Sequence, residues 1–337
     1  MIPGLHIAVH PERPITETAD LIAGAERLGF TGAWIADSQN LFRDVFAALA
    51  LAAERTSTIR LGTGVTNPVT RHPAVIASAA ATIDELSGGR LTVGVGTGET
   101  SVQTIGKRSA TLAELEATTM AIRALMRGEV CEFDGASMTI PWSRRSVPVY
   151  IASTGPRSIA LAGRIADGVY LKIGAHPDLV RYASSACRHG ADASGRNMND
   201  LAFATLLPCA ISEDLRTARE EVSGFATAIA VGVLNSVPAE CIPEYLSTDL
   251  FRLKEAADRA RNQQSYVEWL QSGAYRSVLT DEVVDAFSVA GTQREVIERL
   301  EELGELGITD VVVPFVMSDP EIHIHALARE LSLVAIR

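Results

Sequence analysis

Hydrophobic and polar positions alternate along the chain in two rhythms. Short apolar runs are followed by stretches in which apolar residues recur every three or four positions. Leu5 to Val9 is the first short run, and Thr16 to Leu28 follows with Leu21, Ile22, Ala25 and Leu28 on one helical face. Gly29 ends that helix. The pattern repeats as strand Thr31 to Ala36, helix Val45 to Arg55, strand Thr58 to Val65, a helix from Pro73 to Leu86 stopped by Gly88 and Gly89, strand Arg90 to Val95, and helix Leu112 to Arg127. A small hairpin over Val130 to Ile140, turning at Asp134 and Gly135, interrupts it. It resumes with strand Val147 to Ala152, helix Ser158 to Ile165, strand Gly168 to Ile173, helix Pro177 to Gly190 and strand Leu201 to Ile211. A long helical stretch runs from Glu213 to about Arg276. Helix Gln293 to Leu306, strand Asp310 to Phe315 and helix Pro320 to Val334 close the chain.

Strands alternating with helices imply parallel pairing through right-handed crossovers. Eight such units make an α/β fold of the (β/α)8 TIM barrel class, with residues 1–337 as one domain and a helical insertion at about 213–276. An open doubly wound sheet is the rival. It lacks support because no glycine-rich turn follows the first strand.

Composition narrows the function. Of 337 residues 47% are hydrophobic, too many for a disordered chain. The 41 acids against 30 bases argue against nucleic acid as a partner. No apolar run suits a membrane span, and the first ten residues lack the basic and apolar regions of a signal peptide. A cytoplasmic protein is expected. Cys131, Cys187, Cys209 and Cys241 form no CxxC pair, and neither they nor His323 and His325 have metal-ligand spacing, so no metal is expected. Only Lys107, Lys172 and Lys254 among the basic residues are lysine.

In a barrel, chemistry gathers where strands end. Strand two ends in a polar cluster from Asp37 and Ser38 to Asp44, in which Asp37 is either a site acid or a helix cap. Strand three ends in Gly62-Thr63-Gly64-Val65-Thr66-Asn67-Pro68, whose glycines allow a sharp bend and the approach of a flat ligand. Strand four ends in Gly94-Val95-Gly96-Thr97-Gly98-Glu99. Glu99 is expected to enter a pocket of low polarity that raises its pKa, or else to be a solvated loop acid. Strand five ends in Ser153-Thr154-Gly155-Pro156, where the N–H groups of a starting helix and two hydroxyls can hold a phosphate. Lys172, at the end of strand six, suits either an anionic tail or a plain surface position. His72 is a candidate substrate contact or a cap. Trp34 and Trp142 are expected to pack in core and hairpin.

The motifs GTGVTNPVTRHPAV, ATIDELSGGR, GVGTGE, VPVYIASTGP and LAGRIADG resemble the bacterial luciferase-like superfamily, and within it the coenzyme F420-dependent branch. The resemblance runs from about Leu5 to the C-terminus and is weakest between about Glu213 and Arg276. It implies a small-molecule oxidoreductase that transfers hydride between a deazaflavin and an organic substrate, with a pterin-type C1 carrier as the first candidate. An FMN-dependent monooxygenase and a cofactor-less partner subunit are the alternatives. The resemblance places Asp37, Ser38, Thr63, Gly64, Val65, Thr66 and Gly98 beside the ring, with a cis peptide at Gly64–Val65. It makes Glu99 the proton donor, assisted by Asp37. It assigns Ser153, Thr154, Gly155 and Pro156 to the cofactor phosphate, and puts Phe42 near the ring. Several relatives carry His where this chain has Ser38. A homodimer or higher homo-oligomer is implied.

Overall fold

The computed structural model describes residues 2–263, 266–314 and 320–331. Eight parallel strands close into a barrel: β1 (Gly4–Val9), β2 (Gly32–Ile35), β3 (Arg60–Thr63), β4 (Leu91–Val95), β5 (Val149–Ser153), β6 (Gly168–Leu171), β7 (Ala202–Leu206) and β8 (Asp310–Pro314), with β8 beside β1. Helices α1 (Ile15–Arg27), α2 (Val45–Arg55), α3 (Pro73–Leu86), α4 (Leu112–Met126), α5 (Pro156–Ile165) and α6 (Pro177–Ala193) follow the first six strands in turn. Their apolar faces cover the outer side of the strands and form the main core. The ends of β8 and of the last helix expected from the pattern, Phe315 and Val334, lie outside the described residues.

Side chains in three layers fill the bore. At the N-terminal end Arg60, His6 and Asp310 form the floor. Above them Trp34 packs against Tyr150 and Tyr170, with ring centroids 5.6 and 4.9 Å away. Val65, Ala152 and Leu206 lie above that layer, partly buried against it. Glycine makes room for the indole. A Cβ at Gly62 would stand 2.6 Å from Trp34 Cε3, and one at Gly94 would stand 2.2 Å from the Thr63 carbonyl oxygen. Trp34 is therefore bore packing, as its place in an apolar strand suggested.

Two expected elements change shape. The seventh strand breaks at Leu207 and Pro208 instead of running through to Ile211. Proline cannot donate to a ladder. The chain steps outward there, and Cys209–Ile211 forms a separate parallel ladder with Val289–Gly291. The helical stretch after Glu213 is likewise divided. It contains Leu215–Ser236 and Ser247–Gln263, with two 3-10 turns between them that begin just after Pro238 and Pro243. The hairpin turns at Asp134 and Gly135, both at positive φ, as expected. Helix α5 starts at Pro156, two residues earlier than its apolar rhythm suggests.

Candidate active site

The C-terminal ends of β2, β3 and β4 form one cross-linked wall. Asp37, just beyond β2, is buried, and Arg71 grips its carboxylate with two hydrogen bonds of 3.0 and 3.1 Å. The Thr66 hydroxyl donates a third, at 2.7 Å. Arg71 also holds Asp44 at 2.8 Å and lies over the Phe46 ring. Burial alone would lower the pKa of Arg71, but its two carboxylate partners raise it instead. Asp37 is thus no helix cap. Asp44 caps α2, accepting from the Ala47 N–H.

The loop after β3 is fixed from both sides. The Gly64–Val65 peptide bond is cis. Thr63 Oγ1 donates to the Gly94 carbonyl at 2.7 Å and accepts from the Gly94 N–H at 2.8 Å, so its hydroxyl is spent between strands. Asn67 accepts from the N–H groups of Val69 and Thr70 and donates to Ser101 Oγ. Gln39 reaches the Ser101 carbonyl at 2.6 Å, which ties the β2 loop to the β4 loop. Gly98 takes φ +80°, where a Cβ would stand 2.4 Å from Val102 Cγ2.

Of the two settings expected for Glu99, the solvated one is found. It is exposed and stands just ahead of a short helix, Thr100–Gln103, at the lip of the barrel mouth. Its charge acts on the ammonium of Lys172. His72 is also exposed. It caps α3, accepting from the Ala74 N–H, and its ring meets Phe133 of the hairpin edge-on at 5.3 Å.

The rest of the mouth is less satisfied. Side chains alternate along a strand, so His6, Ala8 and His10 share the inward face of β1 and its extension. His10 Nδ1 is buried without a hydrogen-bond partner, and its ring tilts against Phe42 at 5.2 Å. Burial lowers the His10 pKa, with Glu12 opposing weakly, which keeps the imidazole neutral. Ser38 Oγ is buried and unpartnered too, as are Ser153 Oγ at the end of β5 and Thr205 Oγ1 on β7. By the same alternation Lys172 continues the inward row Gly168, Tyr170 just beyond β6. No hydrogen bond or ion pair holds its ammonium among the described residues. Burial lowers its pKa, opposed by the charge of Glu99.

At the β5 end Gly155 precedes α5, whose first helical bond runs from the Ile159 N–H to the Gly155 carbonyl. The N–H groups of Arg157 and Ser158 lie ahead of that bond. A Cβ at Gly155 would stand 3.3 Å from the Ser236 carbonyl oxygen, so the turn sits against the end of the long helix after β7. Thr154 Oγ1 donates to the Lys172 carbonyl at 3.4 Å, coupling this turn to β6.

Buried groups without partners cost free energy unless a ligand supplies the missing bonds. Ser38 and His10 on one side, Lys172 on the other and an apolar bed of Val65, Ala152 and Leu206 between them suit a planar, polar-edged ring. The Ser153–Pro156 turn beside them suits its phosphate. Sequence reasoning missed His10 and Arg71. His10 continues a period of two from His6, and Arg71 lies within the GTGVTNPVTRHPAV segment, so both signals were present. Among the described residues no group of three or more His, Cys, Asp or Glu could hold a metal ion. No helix among them is long and apolar enough to cross a membrane.

Comparison with known proteins agrees. A family model described as luciferase-like monooxygenase matches residues 3–310. A 5,10-methylenetetrahydromethanopterin reductase from Archaeoglobus fulgidus is 32% identical over 311 residues, covering 90% of each chain. An F420-dependent glucose-6-phosphate dehydrogenase from Nakamurella multipartita is 29% identical over 76% of this chain and 79% of its own. The solved structure of the coenzyme F420-dependent tetrahydromethanopterin reductase from Methanopyrus kandleri superposes with a TM-score of 0.80, at 26% identity, covering 98% of this chain and 99% of that one.

Proposed function

Because this chain belongs to the luciferase-like monooxygenase family, we infer that its barrel mouth takes coenzyme F420 and that the protein is an F420-dependent oxidoreductase. The observation that carries this reading is the pair of buried, unpartnered polar groups, Ser38 Oγ and His10 Nδ1, beside an apolar bed at the strand ends. The named F420-dependent relatives support it.

When bound, the deazaflavin supplies or accepts a hydride at one ring carbon. The chain supplies position. Val65 and Ala152 give the ring an apolar face to lie on. Ser38 and His10 offer hydrogen bonds to its polar edge. Gly155, Pro156 and the hydroxyls of Ser153 and Thr154 hold the phosphate. Arg71, Asp37 and Thr66 keep the wall behind Gly64 rigid, so the ring meets substrate in a fixed geometry. Gly98 sets the path of the loop that ends at Glu99, and Glu99 at the lip exchanges protons with solvent. Phe42, packed on His10, lines the entrance on the substrate side, and His72 shapes the neighbouring loop. The substrate class is a small organic molecule, with a pterin-type C1 carrier favoured by the relatives named as methylenetetrahydromethanopterin reductases.

A cytoplasmic homo-oligomer completes the reading. Val75, Leu86 and Met120 are exposed on α3 and α4, which pack side by side, and offer an apolar face for self-association. Sedimentation showing only monomer would overturn that part. The cofactor is tested by titrating purified protein into F420 and into FMN and following fluorescence. Saturable F420 binding is expected. Binding of FMN alone would move the protein to the monooxygenase chemistry of its family.

A further inference from the structure

We propose that Lys172, rather than Glu99 or Asp37, is the acid that gives substrate its proton. The proposal rests on the hydride-transfer reading above and concerns this chain's own residues.

Three observations carry it. The two carboxylates that the sequence offers are unsuited. Asp37 accepts three hydrogen bonds, two of them from a guanidinium, and so has no proton to give. Glu99 is exposed to solvent, and its charge reaches the Lys172 ammonium. Lys172, by contrast, continues the inward row of β6 directly above Tyr170, which is buried in the bore. Its three N–H groups have no acceptor among the described residues. The groups facing it are few. The Glu99 charge after β4 reaches its ammonium, and the Thr154 hydroxyl after β5 bonds to its backbone carbonyl.

The third observation is the residue type. Lysine is rare in this chain, at three of 30 basic residues, and arginine serves nearly every structural ion pair. Arginine holds an anion at least as well as lysine, because its fork donates two parallel bonds. It cannot release a proton at any ordinary pH, whereas lysine can once water is withdrawn from it. A lysine on the inward row of the mouth therefore fits proton transfer better than charge pairing.

The step balances as follows. A substrate carbon bonded to nitrogen or oxygen accepts a hydride, with two electrons, from the reduced deazaflavin. One carbon–heteroatom bond breaks and its electron pair stays on the heteroatom. That pair takes a proton from Lys172 Nζ. The substrate is reduced by two electrons, the deazaflavin is oxidised by two, and Lys172 is left as a neutral amine. It regains its proton from water at the lip, beside Glu99.

The test has two parts. The first needs no cofactor. In full-length protein labelled with 15N-lysine only three side-chain signals exist, and K172R identifies the one from Lys172. Its Nζ is expected to titrate below Lys107 and Lys254, and E99Q is expected to lower it further. Titration of all three lysines together would overturn the proposal, whatever the cofactor proves to be. The second uses reduced F420 with 5,10-methylenetetrahydromethanopterin as the probe pair. K172R and K172M are both expected to lower kcat on the order of 100-fold or more with little change in KM, and to remove the basic limb of the pH profile. Near-normal kcat in K172R, with a raised KM in K172M, would make Lys172 an anion holder and overturn the proposal. Failure of the wild type to bind F420 would instead count against the function reading, and the lysine titration would still decide the residue.

Discussion

His6 and His10 stand four residues apart on the inward face of the same strand, and their surroundings are opposite. At the floor His6 Nδ1 accepts from Trp34 Nε1 at 2.8 Å, and its other nitrogen faces Asp310 at 3.2 Å. Arg60 closes that group with a 2.5 Å bond to Asp310. At the mouth His10 keeps a buried nitrogen with no partner, and Ser38 Oγ shares its condition. The floor is a finished polar network inside a barrel, where every group has been paired. The mouth lacks acceptors and donors that only another molecule can supply. Stability and function are thus divided between the two ends of one bore, and a substitution's effect should depend on which end it touches.

Breaking the floor should show the largest loss of stability. Asp310→Asn removes the charge that His6 and Arg60 share. It is expected to lower the unfolding free energy by ~3 kcal/mol in urea melts, while the folded fraction still binds F420. A loss of binding with unchanged stability would abolish the division. At the mouth, Gly155→Leu places a side chain against the Ser236 carbonyl and over the phosphate turn. F420 affinity is expected to fall on the order of 100-fold, about 2.7 kcal/mol, with a much smaller stability change. Affinity within threefold of wild type would remove Gly155 from the site.

Acid gives a smaller effect at the floor. Burial pushes the Asp310 carboxyl up, but the hydrogen bond from His6 and the charge of Arg60 outweigh it and hold the group at about 2, against 3.8 unfolded. A depressed carboxyl stabilises the fold above its unfolded value. That contribution should be lost between about pH 4 and pH 2, amounting to about 2 kcal/mol. Burial lowers the His6 pKa from 6.5, so stability already begins to decline below that pH. Asp310→Asn should remove the share of Asp310 from the loss between pH 4 and 2, which equilibrium unfolding of the two proteins at stepped pH would detect. The smallest effect should have the opposite sign. Ser38→Ala removes a buried hydroxyl that nothing satisfies, and stability is expected to rise by up to about 1 kcal/mol while F420 binding weakens. A drop in stability would mean that Ser38 already has a partner.

The barrel was legible because it depends on rhythm. Alternating apolar runs and helical faces gave the eight strands in order, and Gly29, Gly88 and Gly89 marked helix ends. What pattern could not reveal was pairing across strands. Asp37 reads as either a site acid or a cap until Arg71, 34 residues on, is brought against it by the turn after β3. Glu99 reads equally as a pocket acid or a solvated one, and only the folded chain shows it exposed. Lys172 was ambiguous because its direction depends on strand parity, and parity depends on where β6 begins. The step at Pro208 was written in the sequence as a proline within an apolar run, yet apolar rhythm alone joined the two halves.

That step has a consequence for how such enzymes diversify. The short ladder of Cys209–Ile211 with Val289–Gly291 brackets the helices between them, and the Ser212 N–H bonds to the Gly291 carbonyl at 2.9 Å. The chain leaves and returns within the span of one three-residue ladder, outside the ring of eight strands. Segments whose ends are so clasped tolerate replacement and change of length, since closing a longer loop costs little extra. The bracketed stretch is therefore a cassette. A different one could be grafted between the two ladder strands without disturbing the hydrogen bonds that close the barrel, provided its first helix still ends against the Gly155 turn, and a lineage could so change what it recognises.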